Sequence, residues 1–213
     1  GGGITGWSPF IPGDAHASSL PVAALEYSFR NTTNLPVAAV YTFNAMNFMA
    51  DRPWMRSRHL GSKDSGGDAV LPAPKGFTLW QPGTADRPWD QGGFSASVDA
   101  DEAKVNCVWF RGDWFDARSL VWSDVERGAC YERGPVSGGA PSPGGSICVP
   151  FDLDPGEVRT ITLSLSWYVP ESNLRYGTDQ PSSYYQPWYV GQFADIDSIS
   201  RYWRDNYATL RQQ

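Results

Sequence analysis

The sequence predicts a mainly β fold: an antiparallel β-sandwich with long loops and a C-terminal amphipathic helix. Short stretches of alternating apolar and polar residues recur along the chain, and turns rich in its 22 Gly and 17 Pro separate them. Apolar spacing becomes helical only near the end. The length of 213 residues suits one all-β domain, because such domains often reach this size undivided. This pattern favours two packed sheets followed by one helix.

The first predicted strand begins after Pro21 and ends at Arg30, behind a rigid, turn-rich arm at residues 6–19. A polar turn at residues 31–36 leads directly into a second strand at residues 37–43. Since the turn between them is short, the two strands are predicted to form an antiparallel hairpin. The first strand is expected to be half-buried, and one face carries its apolar side chains Ala23, Leu25, Tyr27 and Phe29.

The middle of the chain alternates predicted strands with long loops. Residues 44–73 and 113–145 are predicted to be loops, and the second ends in a low-complexity segment of Gly, Pro and Ser. Residues 170–187 form a third loop, which is rich in aromatic side chains. Five further strands are predicted between these loops, at residues 76–80, 93–98, 105–110, 146–151 and 159–168.

A helix is predicted from about Asp195, where the apolar period changes from two to nearly four. Asp195 or Asp197 can cap its first turn. The chain therefore divides into a sandwich at 1–194 and a helix at 195–213, and the helix needs a partner for its apolar stripe. We expect it to lead to a helical domain outside this sequence. The stripe consists of Ile196, Ile199, Trp203 and Leu210.

Composition argues against several function classes. The formal charge of −6 and the absence of a basic run argue against non-specific nucleic-acid binding. No apolar run approaches the length of a membrane span. The two histidines, His16 and His59, lie far apart in the sequence without a metal-binding spacing, so neither a metal nor another cofactor is expected. No signal peptide is visible, which favours a cytoplasmic over a secreted protein.

The three cysteines form no CxxC pair and are odd in number. Their simplest interpretation is buried or free thiols, and one disulfide pair stays open. Cys107 and Cys148 fall inside predicted strands and are interpreted as core thiols, whereas Cys130 falls in a loop.

The sequence contains no recognisable catalytic constellation, so no catalytic residue is assigned. A G-x-S-x-G nucleophile motif is absent. Asn31-Thr32-Thr33 fits the N-glycosylation pattern but is interpreted as a turn, and Arg111-Gly112-Asp113 is interpreted as a chance match to an adhesion tripeptide. Three acidic pairs could in principle serve glycoside hydrolysis but are more typical of solvated loops and turns: Asp113 with Asp116, Asp124 with Glu126, and Asp152 with Asp154.

Ten tryptophans are more than one core needs. Those in loops could stack on the flat C–H faces of sugars, especially beside an acidic residue. The alternative is that they fold back onto the sandwich or bury at a domain interface, and we favour this alternative because interfaces are enriched in aromatic residues. The candidate sugar-binding residues are Trp54, Trp89 and Trp114, which lie near Asp51, Asp86 and Asp113 in sequence.

Several blocks of the sequence resemble the amino-terminal β-sandwich domain of glycoside hydrolase family 116. That family includes β-glucosidases and non-lysosomal glucosylceramidases. The most specific block is WSPFIPGD at residues 7–14 together with SSLPVAALEYSFRNTT at 18–33. Further matching blocks lie at residues 47–49, 92–94, 149–157, 165–170 and 184–196.

The resemblance implies a two-domain retaining β-glycosidase in which an (α/α)6 barrel supplies a Glu nucleophile and an Asp acid/base. No residue of this chain matches those two, and further edge strands are implied before the first block. The expected role is a non-catalytic domain that supports the barrel and lines one side of the sugar site. Its expected partners are the catalytic domain of the same protein and a β-linked glycan or glycolipid. The alternatives are an independent carbohydrate-binding module and a structural interaction sandwich.

Overall fold

The structure is a computed structural model that describes residues 1–49, 68–112, 114–174 and 184–213. Two antiparallel sheets pack face to face, which confirms the predicted fold class. A six-stranded sheet has the order β1-β2-β9-β6-β5-β4, and a three-stranded sheet has the order β3-β8-β7. The strands are β1 Gly2–Trp7, β2 Val22–Arg30, β3 Val37–Met46, β4 Ala69–Ala73, β5 Gly76–Gln81, β6 Gly92–Val98, β7 Lys104–Asn106, β8 Gly144–Leu153 and β9 Val158–Tyr168.

The main core lies between the two sheets and follows the period-2 pattern of the sequence. Alternate residues of β9 and β5 point into it because successive side chains of a strand face opposite ways. Its fully buried members include Phe77, Leu79, Ile147, Ile161 and Leu163. The predicted inward face of β2 is confirmed, since Leu25, Tyr27 and Phe29 pack against this core.

A second core lies on the outer face of the six-stranded sheet. The helices are α1 Ala15–Ser18, α2 Ala117–Glu126 and α3 Ile196–Gln212, and α3 packs across β9 and β6. Its predicted cap is confirmed, because the Asp195 carboxylate accepts a hydrogen bond from the Ser198 backbone N–H at 2.7 Å. The buried members of this core include Val22, Ala24, Ile199 and Trp203. The prediction that β2 is only half-buried is therefore wrong, and the sheet itself covers the apolar stripe of α3.

The predicted hairpin of the first two strands is also wrong. β2 pairs with β1 and β9, whereas β3 pairs with β8 in the other sheet. The turn at residues 31–36 therefore crosses from one sheet to the other. Asn31 directs this crossing: its buried amide donates to the carbonyls of Leu35 at 2.8 Å and Leu153 at 3.0 Å. Its side-chain oxygen accepts from the Thr33 backbone N–H, the geometry of an Asx turn.

Four elements lie where the sequence predicted none: β1, α1, β4 and α2. β1 and β4 are short strands at the two edges of the six-stranded sheet. β1 is rich in Gly and β4 contains Pro72, so neither shows apolar alternation. The strand predicted at 105–110 is also wrong beyond Asn106, because the Asn106 side chain bends the chain by accepting from the Val108 N–H. Trp109 therefore lies outside β7, and its indole N–H donates to the Ser146 hydroxyl at 2.8 Å.

The cysteines divide into one disulfide and one thiol. Cys130 and Cys148 are bonded, with Cα atoms 5.5 Å apart, so the interpretation of Cys148 as a core thiol is wrong. Its side chain lies on the outer face of β8, opposite to the core. Cys107 is a buried free thiol as predicted, and burial raises its pKa to about 11.

The described ranges contain neither a membrane-spanning helix nor a cluster of metal ligands. No helix there combines the length and apolar character needed to cross a membrane. No group of three or more His, Cys, Asp or Glu side chains converges there on a site for a metal ion.

Candidate functional site

The two ends of the sandwich differ in the length of their connections. Where Trp7 pairs with Ala24, and Gly93 with Tyr168, the strands lead into long loops. We call this end the loop end; the described connecting residues there are 8–21, 47–49, 68, 82–91, 107–112, 114–143, 169–174 and 184–195. The opposite end has shorter connections, at residues 31–36, 74–75, 99–103 and 154–157. Binding side chains concentrate on loops held by a rigid scaffold, so the loop end is the candidate functional site.

Asn47 ties the bases of these loops together. It is only 2% exposed, and its amide donates to the carbonyls of Ala69 at 3.3 Å and Trp80 at 3.2 Å. Its backbone N–H donates to the Pro143 carbonyl at 2.9 Å. One side chain therefore links both sheets where the loops leave them.

Trp89 lies in the β5–β6 connection, within a short 3₁₀ helix at Pro88–Asp90. Gln81 holds this helix in place by donating to the Asp90 carbonyl at 2.9 Å. The indole of Trp89 is half-buried and lies 5.4 Å from the ring of Tyr184, with a tilt of 38°. The two rings form an aromatic pair between two different loops.

The loop after β9 contributes further aromatic rings to the same end. Tyr189 anchors it, because its hydroxyl bonds both the N–H and the carbonyl of Val169 at 3.0 Å. Tyr184 and Tyr185 are exposed, and Trp188 is 67% exposed. Tyr184 therefore joins this loop, with its exposed aromatic side chains, to Trp89.

Another aromatic cluster closes the loop end between the sheets. Phe94 and Trp167 are partners across β6 and β9, and Trp167 is partly exposed at the end of its strand. The ring of Phe48 lies 4.9 Å from that of Phe94 and is itself exposed. The core-facing side of β9 therefore ends in Trp167, whose indole is accessible at the surface.

Trp114 lies in the β7–β8 connection and is 79% exposed. Its ring contacts Phe110 at 5.0 Å and Phe115 at 6.3 Å. Arg111 holds this connection against the Gly-rich segment by donating to the carbonyls of Gly138 and Ala140. Trp114 thus projects from a separate loop from the one that carries Trp89.

Two of the three candidate tryptophans, Trp89 and Trp114, lie in different loops. Trp54 lies outside the described residues, as do Asp51 and Asp113. Asp86 is exposed in the loop of Trp89. Sequence reasoning missed the cluster at Tyr184–Trp188, although the aromatic density of the loop at 170–187 was the signal that could have found it.

The described members of the acidic pairs have structural partners or are exposed. Asp116 caps α2 by accepting from the Ser119 N–H at 3.1 Å, and Asp124 accepts from Arg127 at 2.6 Å. Glu126 accepts from the indole of Trp122 at 3.0 Å. A general acid for glycoside cleavage needs a raised pKa, yet the shifted carboxyl pKa values in the described ranges are all lowered by hydrogen bonds. They belong to Glu26, Asp101, Glu102 and Asp116.

A comparison with known protein families gives one match over nearly the whole chain. The family model described as "beta-glucosidase 2, glycosyl-hydrolase family 116 N-term" matches residues 3–210. No curated protein matches the chain significantly.

Proposed function

The chain belongs to the family of N-terminal domains of family 116 glycosyl hydrolases, and from that premise we propose a non-catalytic role in a retaining β-glycosidase. The parent enzyme would be of the β-glucosidase or glucosylceramidase type. In this proposal the domain supports an (α/α)6 catalytic domain and lines one side of its sugar site. The observation that carries the proposal is the loop end, where exposed aromatic side chains collect on long connections.

The supporting role rests on the kind of surface at the loop end. Aromatic residues are enriched at protein interfaces because they bury large areas with few freely rotating bonds. Trp188 and Tyr185 expose such rings, and Tyr189 and Asn47 fix the loops that carry them. We propose that the catalytic domain covers part of this surface and that the segment at 195–213 leads towards it.

The sugar-lining role rests on Trp89. An indole face suits the C–H face of a pyranose, and the ring of Tyr184 fixes its orientation. Arg87 and Asp90, which form an ion pair at 2.9 Å, place polar groups beside the indole. This combination of a flat apolar face and nearby hydrogen-bonding groups is typical of sugar subsites.

The test is kinetic and uses the full-length parent enzyme. Trp89→Ala should raise KM for an aryl β-glucoside about fivefold with kcat nearly unchanged, because a wall contact acts equally on bound substrate and transition state. Trp122→Ala removes an exposed indole on α2 and is the matched control, with wild-type kinetics expected. Wild-type KM for Trp89→Ala would contradict the sugar-lining role. Normal turnover by residues 1–213 alone would contradict the non-catalytic role.

An independent carbohydrate-binding module is the second candidate. Trp114 favours it, because this indole is 79% exposed and has aromatic neighbours that fix it. Calorimetry of the isolated chain with soluble β-glucans should then show binding that Trp114→Ala abolishes and Trp122→Ala preserves. If no binding is detected, the module hypothesis is wrong, and the alternative of a structural interaction sandwich is favoured.

A further inference from the structure

α2 lies on the outer face of the three-stranded sheet with very little apolar contact. Thr42 of β3 and Ser146 of β8 line the sheet side of the contact, and Val121 and Val125 line the helix side. A cavity of about 30 Å³, the size of a water molecule, separates the two sides. A polar sheet face and a gap give little hydrophobic stabilisation to the docked helix.

The contrast with α3 shows how weakly α2 is held. α3 buries Ile199 and Trp203 to 0% and 1% exposure, whereas α2 has no buried residue. A ten-residue helix is only marginally stable on its own in water. The ion pair of Asp124 with Arg127 lies within the same segment and does not connect it to the sheet.

The Cys130–Cys148 disulfide supplies the covalent connection. Cys130 follows α2 by four residues, and Cys148 lies in β8 on the face that α2 covers. The chain rejoins the sheet soon after, where the Arg133 N–H donates to the Val105 carbonyl of β7 and the Arg133 carbonyl accepts from the Cys107 N–H just after β7, each at 2.9 Å. The disulfide therefore attaches the segment at 114–131 to β8 three residues before the backbone anchor at Arg133.

We propose that this disulfide is a redox-controlled tether, whose reduction releases α2 from the sheet while the sandwich stays folded. The reductant is a dithiol. One thiolate attacks a sulfur of the disulfide and forms a mixed disulfide, and the second thiolate of the same molecule resolves it. Cys130 and Cys148 each gain a proton and together gain two electrons, and the dithiol becomes a cyclic disulfide.

We expect the two sheets to stay folded after this reduction, because their packing does not depend on the disulfide. The neighbours of Cys148 in β8, Ile147 and Val149, are fully buried in the core between the sheets, to which α2 contributes no residue. Cys107 is 1% exposed on the core side of the sheet. It is therefore not accessible for exchange with the two outer cysteines.

Hydrogen–deuterium exchange of the full chain with and without dithiothreitol tests the tether. Reduction should speed exchange in Ala117–Glu126 by at least about tenfold, because α2 has no buried residue and loses the covalent attachment nearest to it. Exchange in Val158–Tyr168 should not change, and reoxidation should restore protection. Cys107→Ser should respond as the wild type does, and the double variant Cys130→Ser, Cys148→Ser should behave as the reduced protein.

Two outcomes would overturn the tether. Unchanged exchange in α2 after complete reduction, verified by mass, would mean that other contacts hold the helix. Faster exchange throughout β8 and β9 as well would mean that the bond stabilises the whole sandwich.

Discussion

Asn31 shows how a single side chain sets the path of the chain between the sheets. Its sequence context fits a glycosylation pattern, yet the amide is 4% exposed and fully engaged with backbone groups. The interpretation of this motif as a turn is therefore confirmed. What the sequence could not give was the partner carbonyl of Leu153, which lies 122 residues away.

We predict that Asn31→Ala lowers the free energy of unfolding by about 2 kcal/mol, because the buried hydrogen bond to the Leu153 carbonyl and the partly buried one to the Leu35 carbonyl are both lost. Thr32→Ala, at the exposed next position, should change it by less than about 0.5 kcal/mol. Urea unfolding of the two variants measures the difference. Equal stabilities would mean that the turn does not depend on the Asn31 amide.

The cysteines mark another limit at the residue scale. Cys107 could be predicted as a core thiol because it lies in an apolar stretch. Cys148 has equally apolar neighbours in sequence, but its side chain points to the outer face of β8, where Cys130 approaches it. A pairing between a loop and a strand depends on three-dimensional placement, which alternation alone does not encode.

At the scale of elements, α3 is fixed by a polar network as well as by its apolar face. Glu26 on β2 accepts hydrogen bonds from Tyr207 at 2.7 Å and Arg211 at 3.0 Å. The indole of Trp7 on β1 donates to Tyr207 at 3.1 Å. The helix thereby joins the first two strands, although the sequence predicted only its apolar stripe.

The network should make stability depend on pH. The hydrogen bond from Arg211, followed by that from Tyr207, holds the pKa of Glu26 below its ordinary value of 4.5. Because the pKa of Glu26 is lower in the folded state, the ionised carboxylate stabilises the fold. This stabilisation is complete above the ordinary pKa of 4.5 and is lost as pH falls through the folded pKa. Wild type should therefore be more stable than Glu26→Gln at pH 7, and the difference should shrink as pH falls below 4.5 and vanish below the folded pKa of Glu26. A difference that does not change with pH would contradict this account.

Trp203 tests the apolar side of the same docking. It is 1% exposed, so Trp203→Ala should lower the free energy of unfolding by about 4 kcal/mol. Its indole N–H has no hydrogen-bond partner in the described part of the chain, so Trp203→Phe should cost much less. Trp122→Ala, at a 64% exposed position, is the control and should be nearly neutral. Thermal and urea unfolding measure all three.

At the scale of the whole molecule, the sequence predicted the fold class and most strands but not their pairing. Alternation in β2, β5, β8 and β9 identifies strands because those strands border a core. The pairing of β2 with β9, in which Tyr27 lies opposite Ile161 134 positions later, depends on long-range packing that no local turn specifies. The loop end follows from this topology, so only its aromatic composition could be foreseen.

 Contacts between residues so far apart form only when the whole sandwich assembles. The loop end is therefore a property of the complete fold.

The most direct test of the central claim compares hydrogen–deuterium exchange of the isolated chain with that of the full-length parent enzyme. If the loop end faces the catalytic domain, residues 82–91 and 184–193 should gain protection in the parent. The turns at 31–36 and 154–157 should exchange equally in both proteins. Protection at the turn end instead, or no change at the loop end, would contradict the proposed orientation and role of this domain.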